Sequence, residues 1–276
     1  MRPEPLPLRP LTVGELLDAS IGLARSAAPI LLPFAFVLAV LEQLALTPLR
    51  LAYFGDMSPL PAFENLFGEP WLVIAVGAGT ETLIIALLGG FAGRAAAHAT
   101  TRLRPTFGSL LRGSRLLLVV PIALLAGAIT MTMTLVAPGW LIGYPLLGLV
   151  VPVLVIDRMG PLRSLWRGLR LGTRISARAA AIQLLGYIAW FMARFGFGLG
   201  MLAATGFGES FGLPDLGPIV IVAAFTLVNT VAYPALACLA AVLHIETRMR
   251  TEGLDIALAR ATSRGHLETT SLAVTR

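Results

Sequence analysis

The chain has 276 residues, 57% of them hydrophobic and only 13% charged, with a formal net charge of +6. A soluble domain carries about 25% charged residues, so this composition and a mean hydropathy of +0.83 exclude a soluble enzyme and point to a polytopic membrane protein. All 21 basic residues are arginines that flank the apolar stretches instead of forming a basic domain, which argues against nucleic acid as a partner.

Residues 1–10 hold four prolines and read as an extended tail, with no cleaved signal peptide expected. Thr12 and Glu15 form a capping box, with Leu11 and Leu16 at the staple positions. The helix they open carries Glu15, Asp18 and Arg25 on its wet side, and Pro29 opens a first span over residues 28–46. Residues 47–70 form a long loop with Asp56, Glu64 and Glu69. A second span covers 71–91, with Trp71 as an interfacial anchor and Gly89, Gly90 and Gly93 allowing close helix packing. A basic loop with Arg94, Arg102, Arg104, Arg112 and Arg115 leads to a third span, 116–137.

Pro138 and Gly139 interrupt an apolar run of about 40 residues, which at 1.5 Å per residue is twice a bilayer core. That run is therefore two spans joined by a tight turn, the fourth being 140–156. Arg163, Arg167, Arg170, Arg174 and Arg178 follow 4, 3, 4, 4 spacing and fall within an arc of about 80°, the signature of an interfacial helix, read either as a solvated positive-inside flank or as a surface for anionic lipid headgroups. A fifth span runs over 179–202, a glycine-rich acidic loop over 206–217, and a sixth span over 219–243. The helical pattern continues to Arg260, and residues 261–276 read as a disordered tail beyond a six-span membrane domain, 1–260.

Three stretches resemble one another: VGELLDAS at 13–20, FGSLLRGS at 107–114 and LRSLWRGL at 162–169, each shortly after Pro10, Pro105 or Pro161. They suggest one unit used three times, an interfacial helix followed by a hairpin of spans. The fold class expected is thus an all-α membrane bundle of six helices in three hairpins. The segments before span one, between spans two and three, between four and five, and after six hold nearly all the arginines. The alternate loops hold Arg50 alone against five acids, which places both termini in the cytoplasm.

PLTVGELLDAS before the first span, GPLRSLWRGLRL before the fifth and IETRMRTEGLDI after the sixth resemble bacterial multipass proteins related to the membrane domain of glycerophosphoryl diester phosphodiesterases. In those enzymes a separate soluble barrel catalyses the reaction, and its metal-binding carboxylates and histidines have no counterpart here. The resemblance implies a membrane module without that activity.

Five polar side chains fall inside spans at similar depth: Glu42, Gln43, Glu81, Arg194 and Asn229. An intramembrane charge costs about 3 kcal/mol unless it is paired, and marks a site by default. Two readings stay open. One is a structural salt bridge of Arg194 with Glu42 or Glu81, Glu42 being favoured by depth; the other is a site for a proton, an ion or a polar substrate. His98, His244 and His266 are too dispersed to ligate a metal. Thr130, Thr132 and Thr134 read as hydroxyls bonded back to their own helix. Gly196, Gly198 and Gly200 read as packing glycines, and Ser109 and Ser164 have no base at a readable spacing. No catalytic residue, metal or cofactor is expected. The leading functional expectation is a non-enzymatic membrane scaffold. The alternative is a small transporter or lipid-handling protein that uses the polar cluster, and a water-reachable cavity at Glu81 and Arg194 would distinguish it from a dry scaffold.

Overall fold

A computed structural model describes residues 9–54, 68, 70–101, 107–209, 217–263 and 269–273. The segment 1–8, most of the loops 47–70 and 206–217, Arg102, Arg104, Pro105 and His266 lie outside the described residues. Among the described residues there are helices and no strands. The main ones are α1 (Val13–Tyr53), α2 (Trp71–Thr100), α3 (Phe107–Gly113), α4 (Leu116–Val136), α5 (Trp140–Leu147), α6 (Val150–Ile156), α7 (Pro161–Glu209), α8 (Gly217–Glu252) and α9 (Leu254–Ser263).

Five of these helices are long and apolar enough to cross a bilayer, so the chain is an all-α, multi-pass membrane bundle. The expected fourth span is shorter than the rest: Trp140–Ile156 is 17 residues, about 25 Å, divided at Gly148 and Leu149 into α5 and α6. Pro145 and Pro152 explain the division. Each removes one backbone donor, so the carbonyls of Leu141 and Gly148 lose their usual helical partners. The Pro138–Gly139 turn sits where expected, between α4 and α5.

Helix α1 begins with the expected box. Glu15 N donates to the Thr12 hydroxyl at 3.3 Å and Thr12 N donates to Glu15 Oε2 at 2.9 Å, while Leu11 and Leu16 are buried. Beyond the box the structure departs from expectation. No joint separates the first amphipathic turns from the span; α1 runs on for 41 residues through Pro29, Pro33 and Pro48. In α7 the joint is present, because Ala177 has φ +57° at the start of the membrane-crossing portion Ala177–Met201. All three repeated stretches are helical, and the fourth position of the motif is buried at Leu16 and Leu110 and half-buried at Leu165.

Helices α2 and α8 are the centre of the bundle. In each, 56% of the most apolar window is buried, against 33% in α1 and α4 and 22% in α7. Helix α2 packs on α4, α8 and α1, and α7 packs on α8, α5 and α6. Small residues allow the closest approach: a Cβ on Gly127 of α4 would lie 2.7 Å from the Gly79 carbonyl oxygen of α2. Gly89 and Gly93 take Val151 and Val155 of α6 at 3.3 and 3.4 Å, as expected of that run. Gly198 meets Phe225, whereas Gly196 and Gly200 face open space, so the packing role expected of those two is not found. Large apolar side chains such as Phe36, Leu41, Leu44, Leu124, Ile142 and Met192 are exposed around the bundle, as a lipid-facing surface requires. Residues 232–249 of α8 are buried throughout, and its tail bends at Gly253, φ +63°, into α9. Within 261–276, α9 reaches Ser263 and a 3-10 turn at Thr269–Leu272 buries Leu272.

Candidate functional site

The five intramembrane polar residues come together. Glu42, Gln43, Glu81, Arg194 and Asn229 all line one cavity of about 280 Å3 at the end of the bundle where α1 stops and α2 starts. Helical periodicity puts them there. Glu42, Leu46 and Arg50 recur every fourth residue of α1, Val73, Gly77 and Glu81 do so along α2, and Tyr187, Phe191 and Phe195 along α7. Aromatic rings surround the polar floor: Phe54, Trp71, Trp140, Phe191, Phe195 and Phe225. Trp71 and Trp140 lean together with ring centroids 5.9 Å apart.

Arg194 Nη1 donates to Glu81 Oε1, and the Tyr187 hydroxyl donates to Glu81 Oε2 at 2.5 Å. The depth argument favoured Glu42 as the partner, and the structure corrects it. Glu42 is held by neutral donors: Tyr233 Oη at 2.6 Å and Asn229 Nδ2 at 3.3 Å reach Oε2, and the Thr80 hydroxyl lies 3.1 Å from Oε1. Height along a helix was readable; azimuth was not. Helix α1 packs on α8 and α2, so Glu42 faces Asn229 and Tyr233, whereas α7 reaches across to α2. Gln43 pairs elsewhere again, its Oε1 accepting from Arg50 Nη1 at 2.8 Å.

Sequence reasoning missed Arg50, Tyr187, Tyr233 and Thr80. Arg50 was assigned to the loop 47–70, yet the residue is 4% exposed inside the cavity wall. The spacing Asn229–Tyr233 and Gln43–Arg50, one and two helical turns, was the available signal.

The opposite end of the bundle is knitted by ion pairs. Asp157, fully buried just beyond α6, accepts from Arg167 Nε at 2.8 Å and Arg248 Nη1 at 2.8 Å, with His244 Nε2 at 2.9 Å. Burial pushes this carboxyl up, but His244, Arg248 and Arg167 outweigh that and hold it below the ordinary aspartate value. Arg167 also binds Glu252 at 2.7 Å, Arg178 binds Glu246 at 2.8 Å, and Arg250 Nη2 donates to the Leu11 carbonyl at 2.6 Å. Arg248 Nη1 donates to the Leu272 carbonyl at 2.7 Å. Of the five arginines expected to face headgroups, Arg167 and Arg178 therefore point into the protein. Arg163 and Arg170 are exposed and Arg174 is half-exposed, beside Leu162 and Trp166, which are 80% and 70% exposed.

Thr132 and Thr134 bond back to the carbonyls of Ala128 and Thr130, while the buried Thr130 hydroxyl has no partner. Among the described residues, no group of His, Cys, Asp and Glu is gathered to hold a metal ion. Fold and site define an all-α multi-pass membrane protein with a part-open cavity at one end, largely apolar over a polar floor. Comparison with protein-family models, curated proteins and solved structures finds no match.

Proposed function

We propose that the protein binds a small amphipathic molecule in its polar cavity and acts, without catalysis, as a small transporter or lipid-handling protein of the bacterial inner membrane. The observation that carries this reading is the cavity itself, which reaches Glu81 and Arg194. A scaffold has no use for unfilled space among charged groups, since buried charge is costly and a dry interior would pack it out. A floor of convergent polar groups under an aromatic rim is the usual make-up of a ligand site. The volume, near the lower end of the roughly 300–1,000 Å3 of such sites, suits a headgroup or a small solute and not a whole lipid.

The arginine asymmetry supports an orientation with both termini in the cytoplasm, which puts the cavity toward the outer face and the ion-pair network toward the inner one. On the inner side, Arg163, Arg170 and Arg174 with Leu162 and Trp166 suit an interfacial surface on anionic lipid. Kinship with the membrane domain of the phosphodiesterases is likewise a proposal, carried by the motifs PLTVGELLDAS, GPLRSLWRGLRL and IETRMRTEGLDI.

The test is copurification. Protein extracted from its own membrane should carry a small molecule detectable by native mass spectrometry. Gly77→Phe, which projects a ring into the cavity where the nearest side-chain atom is 3.9 Å from a new Cβ, should expel it without unfolding the bundle. Equal recovery from both proteins, or none from either, would remove the proposal.

A further inference from the structure

The cavity's spare hydrogen-bonding capacity has a sign. Arg194 uses Nη1 on Glu81, and its Nε and Nη2 have no partner although the residue is only 6% exposed. Those two atoms form one edge of the guanidinium plane, the edge that grips a carboxylate or phosphate through two parallel bonds. Arg50 is 4% exposed, and its partner is the neutral amide of Gln43; among the described residues no carboxylate lies within ion-pair distance of it. A guanidinium cannot shed its charge, so Arg50 is a buried cation whose direct partner is neutral, the Glu42 carboxylate acting on it only at longer range.

The two acids match the two guanidiniums in charge but leave guanidinium donors unfilled. Glu81 is neutralised by Arg194, and Glu42 has both oxygens engaged by Thr80, Asn229 and Tyr233. Among the described residues, the spare acceptor on the floor is Asn229 Oδ1. Phe191 lines the cavity and is also 38% exposed on the lipid-facing side of α7, which gives an apolar tail a way out toward the membrane.

We infer that the cavity binds the oxyanionic head of an amphiphile, a carboxylate or phosphate held by Arg50 and the free edge of Arg194, with its apolar part against Phe191 and the two rim tryptophans. The inference rests on the ligand-binding proposal and assigns the ligand's chemical class. Two sources share this chemistry: the head of an anionic phospholipid and a free amphipathic carboxylate.

The test uses full-length protein in phosphatidylcholine nanodiscs, in a Trp166→Phe/Trp190→Phe background that leaves Trp71 and Trp140 as reporters. Quenching is titrated with brominated phosphatidylglycerol, brominated phosphatidylcholine and bromododecanoate. At least one anionic probe should quench at about tenfold lower concentration than brominated phosphatidylcholine. Arg50→Gln should abolish about tenfold of that preference, and Arg50→Lys should retain part of it. Arg50 is the residue to change because its loss strands an amide and not a carboxylate. Preference for the phospholipid identifies a membrane lipid, and preference for bromododecanoate identifies a free carboxylate. Equal quenching by all three probes, or an anion preference unchanged in Arg50→Gln, overturns the oxyanion assignment and leaves ligand binding standing. No quenching by any probe, or quenching unchanged in Gly77→Phe, overturns the binding reading with it.

Discussion

Replacing Arg194 by leucine leaves Glu81 with the Tyr187 hydroxyl as its remaining donor among the described residues, at 8% exposure inside the bundle. Losing one partner of a buried ion pair costs about 3–5 kcal/mol, because the surviving charge keeps its desolvation cost and loses its compensation. At about 2–4 °C per kcal/mol for a chain of this size, Arg194→Leu should melt about 6–20 °C lower than the parent in detergent. Glu81→Leu should cost a similar amount, since it strands a guanidinium. The double variant Glu81→Leu/Arg194→Leu strands neither and should recover most of the loss, with a coupling of up to about 3 kcal/mol. Glu42→Leu also destabilises, but by freeing Tyr233, Asn229 and Thr80, so its combination with Arg194→Leu should be close to additive. Circular dichroism melts of the five variants and the parent supply both cycles. A coupling of Arg194 to Glu42 as large as its coupling to Glu81 would refute the pairing and restore the depth argument.

Three other outcomes are expected. Because the folded Asp157 carboxyl lies below its ordinary value, its contribution is present above about pH 4 and is lost as pH falls through the folded value; below about pH 4 the parent's melting temperature should therefore fall more steeply than that of Asp157→Asn, and parallel curves would dismiss the network's role. Gly127→Leu should cost at least about 1–3 kcal/mol by pushing α4 off the Gly79 carbonyl, whereas Gly196→Ala, with nothing within 4 Å of the new Cβ, should be neutral or slightly stabilising in the same melts. In a Cys238→Ser background, cysteines at Ser58 and Ser210 should react with an impermeant thiol reagent from outside the cell and cysteines at Ser109 and Ser263 should not, and labelling of Ser109 from outside would invert the orientation.

What could be read from the chain was what depends on position along it. Apolar length located the five long helices and the short Trp140–Ile156 segment, and the Thr12–Glu15 box marked the start of α1 within a residue. Depth gathered Glu42, Gln43, Glu81, Arg194 and Asn229 at one level, and the cavity is where they meet. What could not be read depends on which way a side chain points. Nothing in one sequence says that Glu42 faces α8 and Glu81 faces α7. The arginine arc at 163–178 was continuous by spacing, yet acids from elsewhere in the chain divide it. Asp157, Glu246 and Glu252 draw Arg167 and Arg178 inward and leave Arg163 and Arg170 outside. The end of α1 was misread as well: the span was closed at residue 46, but the helix runs through Pro48 to Tyr53.

Helix α8 ties the two ends together and gives them different mechanical characters. Asn229 and Tyr233 serve the cavity, and His244 and Arg248 serve the ion-pair network, so two polar sites on one helix lie about 16 Å apart between Tyr233 and His244. Between and below them the helix is buried on every side, as are residues 88–93 and 95–100 of α2, where glycine and alanine bring the backbones close. The network end draws in residues far apart in the chain, Leu11, Arg167, Arg250 and Glu252, with Arg178 beside them. Those residues hold α1, the turn after α6, α7 and α8 to one another. The cavity end has no such clamp among the described residues. Its cross-links are Arg194 and Tyr187 on Glu81 and the donors on Glu42, and around them is empty volume. Any rearrangement that admits a ligand is therefore cheapest at the cavity end, with α7 moving against α2 about the fixed network. Under the ligand-binding proposal, a ligand preference would be written in residues outside the network, Arg50 and Arg194 first.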